Sequence, residues 1–347
     1  MRVMLLDGIR GSENPLLLTE KPVPEPGDKD ILIEIYACGI CRTELDEITG
    51  RLIAPSYPVI PGHQAVGLVV KTGKDVKNFR EGDWAAVGWI FSACGKCSYC
   101  LRWYENLCPE FRSTGLSDDG GYAEFMKINE NFAHHIPEDL VKGDPLDRAA
   151  HIAPLICGGA IGYRALRASG ICDGSTLGLS GFGSSASIVM KIVRHLFPGT
   201  KVFVFARDEA ERNFAMELGA AWSGNFGDNC PDGMDAVIDT TPAWGPVVEM
   251  LRQLKPGGSL IINAIRKIDS DREALMRLDY AKHLWMEKVI KSVANVTRRD
   301  IDGFLETAAS AGIEPEITAY PLEEANRALR ELGGGSIRGS KVLVIKS

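Results

Sequence analysis

The sequence has no long unbroken apolar run, no excess of positive charge, no internal repeat and no low-complexity segment. Its most apolar stretch, residues 152–163, contains Pro154 and three glycines, and is too short and broken to span a bilayer. The opening MRVMLLDGIRG lacks the basic, apolar and cleavable order of a signal peptide. Lys and Arg number 39 against 46 Asp and Glu, a net charge of −7. That balance argues against a nucleic-acid surface and leaves small molecules as the partners to expect. A cytoplasmic location with no membrane association is expected. Nine cysteines in such a chain, four of them within 94–108, point to metal rather than disulfides in a reducing compartment.

What is present suggests two domains, because 347 residues exceed what one hydrophobic core usually spans. The first 150 residues lack any long helical period and read as β-rich. Strand candidates lie at 31–35, 64–71 and 83–87, among frequent glycines and prolines. A compact barrel-like β domain is expected there. It is interrupted by Cys94, Cys97, Cys100 and Cys108, spaced C-x2-C-x2-C-x7-C. Four thiolates close a tetrahedral shell and leave no room for substrate, so this site reads as structural zinc. An iron–sulfur cluster is the rival, although its spacings differ in detail.

From about residue 156 the pattern alternates helix and strand. A strand at 176–180 runs directly into Gly181-Phe182-Gly183-Ser184-Ser185-Ala186, then a helix with apolar residues at 188, 189, 192, 193 and 196. Pro198-Gly199 ends it, and 201–206 is the next strand. A Gly turn between strand and amphipathic helix is a dinucleotide fingerprint: Gly181, Gly183 and Ala186 admit the pyrophosphate to the helix N-terminus. Further helices are expected at 209–218, 246–254, 300–309 and 322–332, with strands at 235–240, 259–263 and 341–345. This is a doubly wound α/β sheet. The apolar 259–263 strand, late in the sheet, is where a two-fold axis is expected to extend it into a homodimer or homotetramer.

Chemistry is suggested by ACGICRTEL and PVIPGHQ, which offer Cys41 and His63 among glycines. A catalytic zinc needs three protein ligands and one open position, and Cys157 in APLICGG is the best third candidate. Trp89 and Ile90 either line a substrate pocket or belong to the core. His134 and His135 have no partner ligands and read as surface or structural. Cys38, Cys172 and Cys230 read as small buried hydrophobes. Cys38 also stands at C-x2-C spacing from Cys41.

Together, CGICRTE, PGHQAVG, the four-cysteine loop, LIC at 155–157, the Gly turn and SIRG at 336–339 make the chain resemble the zinc-dependent medium-chain alcohol dehydrogenases. The resemblance covers nearly the whole length. It implies a GroES-like β-rich catalytic domain at 1–154, a Rossmann domain with a doubly wound parallel sheet at 155–288, and a return to the catalytic domain at 289–347. It also implies that Cys41, His63 and Cys157 hold a catalytic zinc, making two zinc ions per subunit. Thr43 becomes the hydroxyl that takes the alcohol proton, and Glu44 the carboxylate that orients the histidine ligand. Arg42 and Arg338 match positions that meet cofactor phosphates. Three departures stand out. Gln64 replaces a glutamate after the histidine, Asp46 replaces a histidine that passes the proton outward, and Ile161 replaces a threonine beside the nicotinamide.

The activity implied is hydride transfer between a primary or secondary alcohol, or its carbonyl form, and a nicotinamide cofactor. A catalytically impaired family member and a zinc-scaffold binding protein are the alternatives. An NAD site places an acid at the end of the second strand, but here that position is Ala206, followed by Arg207. Alanine does not repel a 2′-phosphate, and a guanidinium can pair with one, which favours NADP(H) over NAD(H). Asp208 pulls the other way, since a shift of one residue would bring its carboxylate to the ribose.

Overall fold

The strand Asp30–Ile40 is buried along almost its whole length because three other strands pair with it. Its run ILIEIYACGI is accordingly apolar on both faces rather than alternating. The computed structural model describes Met1–Ile9, Gly11, Glu13–Gly334 and Arg338–Lys346. Within these, Asp30–Ile40 lies near the centre of a seven-stranded sheet. The order is Ile317–Pro321, Ser340–Val344, Asp30–Ile40, Ala65–Thr72, Trp84–Val87 and Ala133–His135, with Phe125–Asn129 also paired to Asp30–Ile40. The C-terminal strand Ser340–Val344 pairs antiparallel with the end of Asp30–Ile40, so both ends of the chain build this β-rich unit.

The chain divides into two compact units. The first takes Met1–Ala160 and most of the chain from Val296 onward, and the second takes Ile161–Asn295 with Arg338. Cys157 therefore belongs to the first unit. A single π-helical turn, Leu155–Gly159, carries it at the end of the helix Pro145–Pro154.

The second unit is a six-stranded, wholly parallel sheet. Its order is Trp222–Gly224, Lys201–Phe205, Thr176–Ser180, Met234–Asp239, Leu254–Ile262 and Val289–Ser292. Counted from the first of these in sequence, that is the 3-2-1-4-5-6 order of a dinucleotide-binding fold. The order reverses between Thr176–Ser180 and Met234–Asp239, whose ends Ser180 and Asp239 stand where sheets of this order bind their ligands. The core beneath is apolar: Phe203, Phe205, Met234 and Val237 of the sheet pack on Val247 and Met250 of the helix Gly245–Gln253.

One expectation is corrected here. The strand expected to meet a two-fold axis begins at Leu254 and sits second from the edge, paired on both sides. The edge strand is Val289–Ser292, all four of whose residues are exposed. It was missed because its short run VIKS has neither alternation nor a turn signal. No described helix is long and apolar enough to cross a membrane.

Candidate active site and metal centres

The strand Asp30–Ile40 ends where the helix Arg42–Ile48 begins, and Cys41 is the residue between them. Its thiol acts as the helix cap. The Thr43 N–H donates to Cys41 Sγ at 3.3 Å, and the Cys41 N–H donates to Glu44 Oε2 at 2.8 Å. This is the reciprocal capping box usually built on serine or threonine, and it holds Cys41 in an extended backbone (φ −135°). Glu44 Oε1 stands 2.7 Å from His63 Nδ1, with neither side chain exposed. On the far side of the ring, His63 Nε2 lies 3.6 Å from Cys41 Sγ and 3.2 Å from Cys157 Sγ. The three donor atoms are within 4.8 Å of one another. Trp89, 6% exposed, packs edge-on against the imidazole at a centroid distance of 5.0 Å.

These residues fit a zinc ion. Two sulfurs and a nitrogen are the donors zinc prefers, and three ligands leave one position open. The electrostatics agree. The hydrogen bond with Cys157, burial and the charge of Glu44 push the Cys41 thiol well above its usual range. Burial would lower the His63 pKa, but the Glu44 carboxylate and Cys41 raise it well above its usual value overall. Without a metal the Cys41 thiol thus keeps its proton, and a bound cation would release it by favouring the thiolate.

The four-cysteine loop places Cys94, Cys97, Cys100 and Cys108 with their sulfurs within the same 4.8 Å. Its backbone amides point at the sulfurs: Cys97 N–H reaches Cys94 Sγ at 3.3 Å, Cys100 N–H reaches Cys97 Sγ at 3.5 Å and Glu110 N–H reaches Cys108 Sγ at 3.4 Å. The amides of Lys96 and Cys97 bring the Cys94 thiol down to about 7, while burial pushes Cys100 up to about 12. Four sulfurs this close, with N–H donors around them, are enough to close the tetrahedral shell of a structural zinc.

In the second unit, Gly181 (φ +82°) makes the turn after Thr176–Ser180, and a Cβ there would stand 2.7 Å from Thr240 Oγ1. Only glycine fits that conformation and that contact. Gly183 caps the helix Ser184–Leu196, and a Cβ there would meet nothing within 4 Å. Ala186 is buried. Beyond Lys201–Phe205, Ala206 is buried and Arg207 exposed. Asp208 accepts the Ala210 N–H at 2.8 Å as cap of the helix Glu209–Glu217. Arg212 donates to the carbonyls of Ala206 and Arg207, each at 2.8 Å.

Arg338 stacks its guanidinium 4.6 Å from the Phe214 ring centroid and pairs with Glu217 at 3.0 Å. Ser336 and Ile337 of the SIRG motif lie outside the described residues. Arg42 is exposed on the first turn of its helix, and Ile161 is half-buried. Thr43 is 7% exposed. Asp46, 4% exposed, pairs with Arg51 Nη2 at 2.5 Å. Gln64 is buried with its side chain against Gly39. His134 Nδ1 meets Asp302 at 2.6 Å and His135 meets the Asn78 carbonyl at 2.9 Å, so neither joins the metal donors. Cys38 is buried, but Cys172 is exposed on the turn before Thr176–Ser180, contrary to expectation; a short loop there has no core to enter.

Sequence reading missed two buried acids. Glu47 is 1% exposed, and among the described residues neither carboxylate oxygen has a hydrogen-bond partner; its three-residue spacing from Glu44 on one helix was the available signal. Asp239, at the strand-order reversal, accepts from Ser180 Oγ at 2.6 Å and from Thr241 Oγ1 at 2.8 Å, and pairs with Lys267. Lys267 also donates to the carbonyls of Thr241 (2.8 Å) and Ala243 (3.0 Å), tying down the loop beside the Gly turn.

Comparison with known proteins adds a second line. Residues 27–138 match the alcohol dehydrogenase GroES-like domain. The chain is similar to the probable alcohol dehydrogenase AdhA of Mycobacterium tuberculosis, at 39% identity over 95% of this chain and 93% of that protein. It is 31% identical to an alcohol dehydrogenase of Geobacillus stearothermophilus, over 94% of each chain. In fold it is similar to the cobalt- and zinc-bound alcohol dehydrogenase of Pyrobaculum aerophilum, with a TM-score of 0.86 at 21% identity over 99% of each chain. It is similar also to the NADP(H) complex of CAD from Helicobacter pylori, with a TM-score of 0.81 at 24% identity over 99% of each chain.

Proposed function

Because this chain belongs to the zinc-dependent medium-chain alcohol dehydrogenases, we propose that Cys41, His63 and Cys157 hold a catalytic zinc and that Cys94, Cys97, Cys100 and Cys108 hold a structural one. The protein is an alcohol oxidoreductase that uses zinc and a nicotinamide cofactor on small-molecule substrates. One observation carries the site assignment: two thiols and an imidazole gathered in one pocket, with a buried carboxylate on the other ring nitrogen.

Each protein group has a task. Zinc, when bound, supplies a Lewis acid that lowers the proton affinity of an alcohol oxygen or polarises a carbonyl. Glu44 fixes the tautomer and ring orientation of His63, leaving Nε2 as the ligand atom. The Thr43 hydroxyl accepts the hydrogen bond of the alcohol and relays the proton, giving up its own hydrogen to water as it takes the alcohol's. Trp89 and Ile90, both buried, keep water from the ligand side. A nicotinamide cofactor would supply the hydride acceptor, and the Gly181–Ala186 turn with the N–H groups at the start of the helix Ser184–Leu196 would hold its pyrophosphate. Arg42 and Arg338 add positive charge for the phosphates.

NADP(H) is the cofactor this reading favours. Ala206 offers the ribose no acceptor, Arg207 is exposed, and the Asp208 carboxylate is committed to capping a helix. The exposed edge strand Val289–Ser292 supports a homodimer or homotetramer, which light scattering checks. A cytoplasmic location fits a metal loop made of free thiols.

The deciding experiment is metal analysis of the purified protein together with turnover on primary, secondary and aromatic alcohols with each cofactor. Two zinc ions per chain and cofactor-dependent oxidation are expected. One zinc ion and no turnover with any alcohol would favour an impaired family member or a zinc scaffold.

A further inference from the structure

The four-cysteine loop is fastened to the rest of its unit by a buried charge. Glu105, 1% exposed, accepts from the Arg298 backbone N–H at 2.8 Å and from Arg298 Nε at 3.1 Å. Arg298 Nη1 donates to the Asn131 carbonyl at 2.9 Å. Its guanidinium carbon lies 5.4 Å from the Trp103 ring centroid, while that of Arg299 lies 3.7 Å from the same ring. One cation thus links loop residues Glu105 and Trp103 to the first turn of the helix Arg298–Ala311. Thr297 and Asp300 close a capping box there, so the start of that helix is fixed.

The same helix bears on both supports of the metal donors. Ile301 and Phe304, three residues apart on one face, are 1% and 0% exposed. A Cβ added at Gly88 would stand 2.5 Å from Ile301 Cδ1 and 3.4 Å from Ile156 Cγ2. A Cβ at Gly159 would stand 2.1 Å from Phe304 Cε1. With no side chain at Gly88 or Gly159, Ile301 and Phe304 pack directly over the backbone at these two positions. Gly88 leads into Trp89, whose ring packs on His63, and Ile156 and Gly159 bracket Cys157. The π-helical turn at Leu155–Gly159 is one turn long, so the place of Cys157 depends on what presses against it.

We propose that Arg298 is a positioning residue for the catalytic metal: its clamp on Glu105 sets the seat of the helix Arg298–Ala311, and through Ile301 and Phe304 that seat sets where the Cys157 thiolate and the His63 ring stand. The four-cysteine loop, on this account, aligns the catalytic ligands as well as stabilising its own fold. The inference rests on the proposed ligand assignment, so that assignment is tested first. Cys157→Ala protein that retains both metals would overturn it before any Arg298 variant is made.

The experiment uses the full chain. Arg298→Met keeps the packing stem and removes the guanidinium, Arg298→Lys keeps the charge without the fork, and Ile301→Val leaves the clamp intact and removes the Cδ1 that packs over Gly88. Three quantities are read: metal content, the rate at which a bidentate chelator extracts the catalytic metal, and the visible spectrum of cobalt-substituted protein. Arg298→Met is expected to keep two metals per chain while releasing one about tenfold faster, with a shifted thiolate-to-cobalt band. Arg298→Lys is expected to fall between it and the wild type, and Ile301→Val to move the rate and the band in the same direction. Arg298→Met protein that melts lower but keeps the wild-type release rate and spectrum overturns the proposal. If Arg298→Met does not fold, Ile301→Val decides, and an unchanged release rate there overturns it equally.

Discussion

Glu44 Oε1 and His63 Nδ1 meet at 2.7 Å with neither side chain open to solvent. A carboxylate held there leaves the imidazole one tautomer and one orientation, with Nε2 aimed at the sulfurs of Cys41 and Cys157. Removing it as Glu44→Ala frees the ring and also breaks the capping box at Cys41. Catalytic metal affinity and kcat/KM are each expected to fall by roughly 10- to 100-fold. Equilibrium competition with a chelator checks the first and steady-state kinetics the second.

The two metal sites are expected to fail differently. Cys157→Ala opens a site that contributes chemistry, so turnover should vanish while the melting temperature stays near that of the wild type. Cys97→Ala opens a closed shell, whose metal contributes folding energy, and should lower the melting temperature. Calorimetry and turnover on both variants separate them; full turnover in Cys157→Ala would mean the third ligand lies elsewhere.

Thr43→Val keeps the side-chain shape and deletes the hydroxyl, with an expected loss of roughly 10²-fold in kcat. Thr43→Ser should keep most activity. Asp46 is held in an ion pair by the Arg51 guanidinium, which occupies its carboxylate. Asp46→Asn is therefore expected to change kcat little, with protons leaving through water. Rapid single-turnover measurements across pH compare the three.

Cofactor choice turns on Arg207. With Asp208 engaged at Ala210 N–H, the wild type is expected to show a higher kcat/KM with NADP(H) than with NAD(H). Arg207→Ala should shrink that ratio by weakening NADP(H) alone. A wild-type preference for NAD(H), unaltered by the substitution, would remove the basis for this assignment.

Glu47 gives the molecule a pH signature. Burial, then the charge of Glu44, hold its carboxyl well above the usual range, with His63 opposing. The folded chain thus keeps the proton longer than the unfolded chain, whose glutamate titrates at about 4.3. The associated stability is complete below that value and is lost as pH rises through the folded pKa. Glu47→Gln stays neutral throughout, so its melting temperature is expected to gain on the wild type as pH rises from about 5 to about 8. Calorimetry over that range that shows no such gain would point to a charge partner for Glu47.

What the sequence determined by itself is local. Spacing brought the four cysteines of 94–108 onto one short loop, where chain connectivity alone keeps their sulfurs close. The Gly181–Ala186 turn was legible because a strand, a positive-φ glycine and a helix N-terminus follow one another without a gap. Apolar periodicity likewise found most strands and helices, since burial of one face is a local demand on the sequence. Cys41, His63 and Cys157 could be nominated as residues, but their separations of 22 and 94 positions say nothing of 3.6 and 3.2 Å. Only the pairing of Asp30–Ile40 with its neighbours and the π-helical turn bring them together. The same holds for Arg298 and Glu105, 193 residues apart, for Lys267 and Asp239, and for the exposed edge at Val289–Ser292. Such contacts depend on sheet order and on which helix packs where, quantities set by the whole chain's burial of its core; a buried charge then selects its partner by proximity in the fold, and no sequence pattern records that distance.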